Sequence, residues 1–212
     1  MTLLLALDTS TRIASVAVHD GEQVLSETTW LAGREHSTRL LVEAEAALQR
    51  IGKTPTDLTG VAVATGPGSF TGVRVALSVA KGLAAGLGVP LWGVSTLDAM
   101  AHSASGTDLP VRVVLEAGRA RMATALYGAD LCVEAPRLAT LDQLMTLLVE
   151  PTLVIGELTL EARTALADMR HVRVAPPAGS LRRAGFLAEL AVARMRSGDP
   201  GNPRAVDAVY IS

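Results

Sequence analysis

A carboxylate and three hydroxyls stand together at Asp8-Thr9-Ser10-Thr11, directly behind the apolar run Leu3 to Leu7. Two chemistries suit such a cluster. It can hold a metal–phosphate group, or it can close a turn through side-chain hydrogen bonds to its own backbone. A second cluster is the glycine-rich segment Gly66-Pro67-Gly68-Ser69-Phe70-Thr71-Gly72. Amides at the start of a following helix could receive an anion or a carboxylate there. The glycines are equally accounted for by a tight turn with unusual backbone angles. The segment is not a Walker loop, because no Gly-Lys-Ser/Thr follows and Arg74 is not the required lysine. It also lacks the Gly-x-Gly-x-x-Gly dinucleotide pattern. Phe70, an aromatic at a glycine-rich tip, is the kind of residue that buries itself in a partner.

Other chemistry is scarce. His19, His36, His102 and His171 are scattered, and His36 is followed by Arg39 and Leu40 at the two positions where a helical metal pair would need a ligand. Cys132 is the only cysteine, so neither a disulfide framework nor a cysteine metal site is expected. A formal charge of −2, with two residues each of Trp, Tyr and Phe, leaves no basic stripe interleaved with aromatics. Direct RNA binding by this chain alone is therefore not expected. The opening apolar run is too short for a signal peptide and has no basic region before it. Val75 to Val94 is long and apolar but contains Lys81 and Pro90, and reads as core. The expectation is a soluble cytoplasmic protein with no membrane contact.

The elements that must position these residues alternate between strand and helix. Leu3 to Leu7, Ile13 to Val18 and Val24 to Trp30 read as strands, with a hairpin at His19-Asp20-Gly21. A helix is predicted from Thr38 to Ile51, capped by Ser37, with Leu40, Leu41, Ala44, Ala47, Leu48 and Ile51 as its apolar face. Val61 to Ala64, a helix from Gly72 to Leu87, and Leu91 to Val94 form a βαβ unit. After the polar stretch His102 to Asp108 the pattern restarts with strands at Val111 to Leu115 and Met122 to Tyr127. A helix at Leu141 to Leu148, a strand at Leu153 to Ile155, a helix at Leu158 to Met169 and a strand at Val172 to Val174 follow. A last helix, capped by Ser180, runs to Arg196, and Ala208 to Ile211 is extended. The fold class is α/β, with two lobes, residues 1–102 and 103–212.

The Gly72–Leu87 helix is apolar nearly all round, so it needs cover on more than one side. Small residues lie along it at four-residue spacing. Gly72, Ala76, Ala80, Ala84 and Gly88 form one row; Ser78, Gly82 and Gly86 form the next. Such rows let another backbone come close. The second cover is either a subunit interface or more of the chain's own domain. On the interface reading, a bulky charged residue at Ala80 or Ala84 should abolish association and leave the fold intact.

Asp8-Thr9-Ser10, Arg34-Glu35-His36-Ser37, the run Gly66 to Arg74, Gly93-Val94-Ser95-Thr96-Leu97 and the terminal Val209-Tyr210-Ile211 together resemble the TsaB (YeaZ) family. The match is strong from Met1 to about Ala101 and weak beyond. The resemblance implies an actin-like, sugar-kinase-like (ASKHA) fold of two related lobes, each a mixed sheet with flanking helices. It implies a subunit needed to make threonylcarbamoyladenosine next to the tRNA anticodon. The chemistry would belong to a paralogue, TsaD, whose His-x-x-x-His metal motif is broken here by Leu40. Expected partners are a TsaD-like paralogue, a TsaE-like ATPase and a second copy of the chain as a homodimer, with tRNA reached only through the complex. The implied contact set is Leu40, Leu41, Ala44, Leu48, Ser69, Phe70, Thr71, Arg74, Leu77, Ala80, Lys81 and Ala84.

Relatives often carry Asp-Ala-Arg at the second phosphate loop, where this chain has Glu116-Ala117-Gly118-Arg119. Gly156-Glu157 resembles a remnant of an adenosine-contacting glycine. Asp8, Thr9 and Ser10 then become vestigial phosphate contacts, with no cofactor of the chain's own and ATP or ADP only at the complex interface. The expected function is a non-catalytic scaffold that activates its catalytic paralogue. The alternative is an autonomous actin-like ATPase or small-molecule kinase using Asp8 and Glu116. Peptidase activity has no support, because there is no His-Glu-x-x-His and no base is argued for Cys132.

Overall fold

The computed structural model describes residues 2–32, 36–118, 120–129 and 131–211. They form two compact units. One contains the chain up to Ala99 together with Arg183–Val209, and the other contains Met100–Arg182 and the chain's last residues.

The first unit is built on a five-stranded sheet of order β3-β2-β1-β4-β5, where β1 is Leu4–Asp8, β2 Ile13–His19, β3 Val24–Leu31, β4 Gly60–Ala64 and β5 Leu91–Val94. β1 pairs antiparallel with β2 and parallel with β4, and β4 pairs parallel with β5. Parallel neighbours need crossovers. α1 (His36–Gln49) lies between β3 and β4, α2 (Phe70–Leu87) joins β4 to β5, and a short α3 (Thr96–His102) follows β5. Alternation along β1 sorts its side chains by face. Leu5 and Leu7 join Leu40, Ala44 and Leu48 of α1 and Val73, Ala76, Leu77, Ala80 and Ala84 of α2 in one core. Leu4 and Ala6 face the opposite way.

That opposite face is covered by α6 (Ala184–Arg196), whose Ala184, Leu187, Ala188 and Ala191 pack on Leu4, Ala6, Ala17, Ala62, Ala64 and Trp92. The expected continuous second lobe, 103–212, therefore differs from the observed division. The C-terminal helix returns to the first sheet because that sheet has a second apolar face which α1 and α2 do not cover. Its start is secured from a distance as well. Ser15 Oγ accepts the Ala184 amide at 3.0 Å, and a Glu27 carboxylate oxygen accepts that of Gly185 at 2.7 Å. Glu27 also pairs with Arg183. These groups replace the predicted Ser180 cap, since Ser180 falls in a short 3-10 turn ahead of the helix.

The second unit repeats the connectivity. β6 (Val111–Glu116) pairs antiparallel with β7 (Met122–Gly128) and parallel with β9 (Thr152–Gly156); β8 (Leu131–Ala139) and β10 (Val172–Val174) are the edges. α4 (Leu141–Leu147) and α5 (Leu160–Ala167) are its crossovers. Leu144 from the first, Leu148 just past its end, and Leu166 from the second pack on Val114 and Val154. Two related lobes of mixed sheet and helix were expected, and two are found. β8 was not anticipated, because Pro136 and a mostly exposed sequence hide a strand that only a sheet edge tolerates.

By length and composition α2 is apolar enough to cross a membrane. Its position as the crossover between two parallel strands, with one side in the core, accounts for that apolarity. α1 begins at His36 rather than Thr38, placing Ser37 inside the helix.

His19 closes β2 in a buried setting and its Nδ1 accepts the Gly21 amide at 2.9 Å. Burial lowers its pKa below the ordinary 6.5; Asp20 and Glu189 pull upward, and Arg196 adds to the lowering. The folded chain thus holds His19 neutral at pH values where the unfolded chain has begun to protonate it. The stabilisation is complete above about pH 6.5 and is lost as the pH falls through the lowered folded value. His19→Asn, whose amide oxygen falls near the position of Nδ1, should remove this part of the pH dependence. Urea midpoints of the two proteins between about pH 8 and pH 5 should therefore diverge on the acid side.

Candidate functional site

The two clusters singled out by residue type meet in the first unit. Asp8, Thr9, Ser10 and Thr11 are all buried. Ser10's carbonyl accepts the Ser69 amide at 2.5 Å, and the Thr9 hydroxyl donates to the Gly72 carbonyl at 2.6 Å. Thr96 Oγ1 donates to Ser10 Oγ at 3.0 Å, and Asp8 Oδ1 accepts the Ser10 amide at 2.8 Å. The backbones touch at two glycines. A Cβ on Gly68 would stand 2.1 Å from the Ser10 carbonyl oxygen, and one on Gly72 would stand 2.0 Å from that of Thr9. Gly66, with φ +98°, turns the chain into this contact, and its carbonyl accepts the Thr96 amide at 2.9 Å. Ser69 caps α2 through its side chain, with Gly72 N–H to Oγ at 3.3 Å. The helix therefore starts two residues before the expected Gly72. The polar turn lies beneath the glycine loop, and the hydroxyls of Thr9 and Ser10 are engaged within the chain.

α2 keeps Phe70, Thr71 and Arg74 of the expected contact set outward but turns its Ala80–Ala84 row inward. Ala80 and Ala84 of the predicted contact set, with Leu40, Ala44, Leu48 and Leu77, lie in the unit's own core. A charged residue at Ala80 or Ala84 would strike the fold before any association, so that expectation is corrected. The outward row is Arg74, Ser78, Gly82 and Gly86, together with Thr71 and Ala85. Arg74 stacks on Phe70 at 3.8 Å from the ring centroid, and Phe70 remains 55% exposed. Leu41 and the unanticipated Val42 on α1 are 49% and 62% exposed. Ser69 is exposed and Lys81 half-buried. The signal that could have chosen the row was Arg74, four residues before Ser78. A Cβ on Gly82 or Gly86 would meet nothing within 4 Å, so no packing within the unit requires glycine there.

In the second unit β6 ends at Glu116, and the turn closes through Ala117 N–H to the Arg121 carbonyl at 3.0 Å. Glu157, just past β9, reaches the end of β6. Its amide donates to the Val114 carbonyl at 2.8 Å, and its Oε2 accepts the Glu116 amide at 3.2 Å. Its Oε1 pairs with Arg182 at 3.0 Å. Elsewhere in this unit the buried Arg112 hydrogen-bonds Glu134 at 2.8 Å and holds that carboxylate below its usual pKa. Arg34, Glu35 and Arg119, named from sequence, lie outside the described residues, as do the side chains of His36 and Ser37. Among the described residues no three His, Cys, Asp or Glu side chains group to hold a metal ion. Cys132 is exposed.

Two lobes of identical strand order, each with two antiparallel and two parallel pairings, have the actin-like, sugar-kinase-like fold. The family model described as tRNA N6-adenosine threonylcarbamoyltransferase, TsaD, matches residues 29–168, more than half of the chain, and the chain belongs to that family. The tRNA threonylcarbamoyladenosine biosynthesis protein TsaB of Escherichia coli is 43% identical over 101 residues, 48% of this chain and 43% of that protein. Its Bacillus subtilis namesake is 33% identical over 124 residues, 58% of this chain and 54% of that one. The matched region thus spans about half the length of these curated relatives. A Pseudomonas aeruginosa structure described as similar to peptidase YEAZ superposes with a TM-score of 0.82, covering 100% of both chains at 24% identity. That likeness speaks for the fold.

Two substitutions separate the inner and outer glycines. Gly72→Ala forces a methyl into the Thr9 carbonyl and should cost about 1–3 kcal/mol or prevent folding. Gly82→Ala occupies open space in an exposed helix and should stabilise the isolated chain by up to about 1 kcal/mol. Chemical denaturation of both variants checks the pair, and similar losses in the two would contradict the assignment of faces.

Proposed function

We propose that the chain is a non-catalytic subunit for threonylcarbamoylation of the adenosine beside the tRNA anticodon. In this reading it binds and orders a TsaD-like catalytic relative, with a TsaE-like ATPase joining the assembly. Self-association as a homodimer uses the same surface. tRNA is met only through the complex, in the cytoplasm, and ATP or ADP binds at the complex interface rather than in a site of the chain's own.

The observation that carries the reading is the outward side of α1 and α2. Leu41 and Val42 on α1 and Phe70 on α2 are exposed, and α2 also carries two outward glycines that nothing within the unit requires. Glycine in a helix costs roughly 1 kcal/mol relative to alanine. A close approach by another backbone is a physical reason for keeping it. The similarity to proteins named for threonylcarbamoyladenosine biosynthesis supports the reaction, and the engaged Thr9 and Ser10 hydroxyls support a role without chemistry of its own. The autonomous ATPase reading draws on the fold alone.

A drop-out reconstitution with a TsaD-like enzyme, a TsaE-like ATPase, the threonylcarbamoyl-adenylate synthase, ATP, threonine, bicarbonate and tRNA tests the proposal. Modification should require this chain and should survive Asp8→Ala. Gly82→Arg should fold normally and yet weaken association by about 100-fold, the equivalent of ~3 kcal/mol. Modification that proceeds without the chain would overturn the reading. So would ATP turnover by the purified chain that disappears in Asp8→Ala.

A further inference from the structure

We infer that residues 199–209 are a strap that holds the glycine loop in place, and that the strap thereby positions Phe70 and the first turn of α2. Its first part lies against β5, an edge of the first sheet. The Leu91 amide donates to the Gly201 carbonyl at 3.1 Å, and the Trp92 indole N–H donates to the Asp199 carbonyl at 3.1 Å. Gly201 sits at φ +64°, and a Cβ there would stand 2.6 Å from the Trp92 ring. Asp199 is fixed in turn, its carboxylate pairing with Arg194 and accepting the Gly201 amide at 2.9 Å.

The last part of the strap reaches the joint between β4 and the loop. Val206 is buried beside Thr65, and both crowd Gly93, where a Cβ would lie 2.8 Å from a Val206 methyl and 2.6 Å from the Thr65 methyl. The Val209 amide donates to the Thr65 carbonyl at 2.8 Å. The Val209 carbonyl closes on the next residue, since a Cβ on Gly66 would stand 2.7 Å from its oxygen. Gly66, Gly68 and Gly72 thus each lie against a main-chain carbonyl oxygen, those of Val209, Ser10 and Thr9. Two of these oxygens belong to the turn after β1, and the third belongs to the strap. Backbones packed this closely leave the loop little room to shift while all three stay in place. Phe70 follows the loop directly, so the strap sets where that ring and the Arg74 stacked on it are presented. The hold on the loop stands by itself; its consequence for association rests on the scaffold reading. Val209's side chain is 53% exposed, so its main chain makes the hold.

Hydrogen exchange of the isolated full-length protein tests this. Val209→Pro removes the donor to Thr65, and Val206→Ala removes the methyls beside Gly93. Each should speed exchange of the Ser69, Gly72 and Val73 amides by about tenfold or more, while the Ala184 and Gly185 amides at the start of α6 keep their native rates. Val209→Ala retains the amide and should leave all of them unchanged. Val18→Ala, a truncation in the same core but on β2, gives the effect of lost stability alone. If Val209→Pro fails to fold, the comparison of Val206→Ala with Val18→Ala decides. Loop exchange no faster in Val209→Pro than in Val209→Ala would overturn the proposal. So would a loop no more affected by Val206→Ala than by Val18→Ala at the same global stability. Association with a TsaD-like enzyme, measured on the same proteins, should weaken about tenfold in Val209→Pro and not in Val209→Ala. Unchanged association by a chain whose loop has loosened would overturn the positioning of Phe70. Failure of the native protein to associate would instead overturn the scaffold reading, and the exchange result would still decide the strap.

Discussion

The first unit depends on a contact between two main chains. Gly68 and Gly72 lie against the carbonyl oxygens of Ser10 and Thr9 at distances where no side chain fits. The contact ties the end of β1 to the start of α2, and Thr96 draws in the segment after β5 through its bonds to Gly66 and Ser10. Three consecutive strands of the sheet thus have their C-terminal ends joined at one place. The placement of α2 follows from it. With its first turn fixed, Ala76, Ala80 and Ala84 meet the sheet and the Arg74–Gly86 row is turned outward.

The same contact decides what the polar turn can do. A strand end carrying Asp-Thr-Ser-Thr could serve a phosphate if its hydroxyls faced open space. Here the Thr9 hydroxyl satisfies the Gly72 carbonyl, and the Ser10 oxygen receives Thr96. Buried hydroxyls without partners are costly, so these bonds are what allow the turn to be covered at all. A loop that packs this closely covers part of the turn and gives the helix above it a rigid base.

Much of this was legible in the sequence. Periodicity located most strands and helices to within a residue or two, and residue types marked the Asp8 turn and the Gly66–Gly72 loop. What failed was non-local. Ser180 looked like a cap, but the amides of α6 are received by Ser15 and Glu27, distant in sequence and brought near only by folding. The same helix docks on the first sheet, and its apolar stripe carries no record of which sheet it covers. The two small-residue rows of α2 were visible, yet spacing alone could not say which faced inward. The charge of Arg74 at the head of the outer row held that information.

The two units reach a similar end by different chemistry. In each, the first strand of the parallel pair finishes in an acid, Asp8 or Glu116, and the neighbouring parallel strand runs into a positive-φ glycine, Gly66 or Gly156. In each, the segment after that glycine folds back on the acid's strand end, onto Ser10 just past β1 or onto Glu116 at the close of β6. The first unit closes the gap with main chain, through the Ser69 amide on the Ser10 carbonyl. The second closes it with a charged side chain, Glu157, balanced by Arg182. Main-chain closure is broken when a side chain is added, at Gly68 or Gly72, and closure by a carboxylate is broken when one is removed, at Glu157.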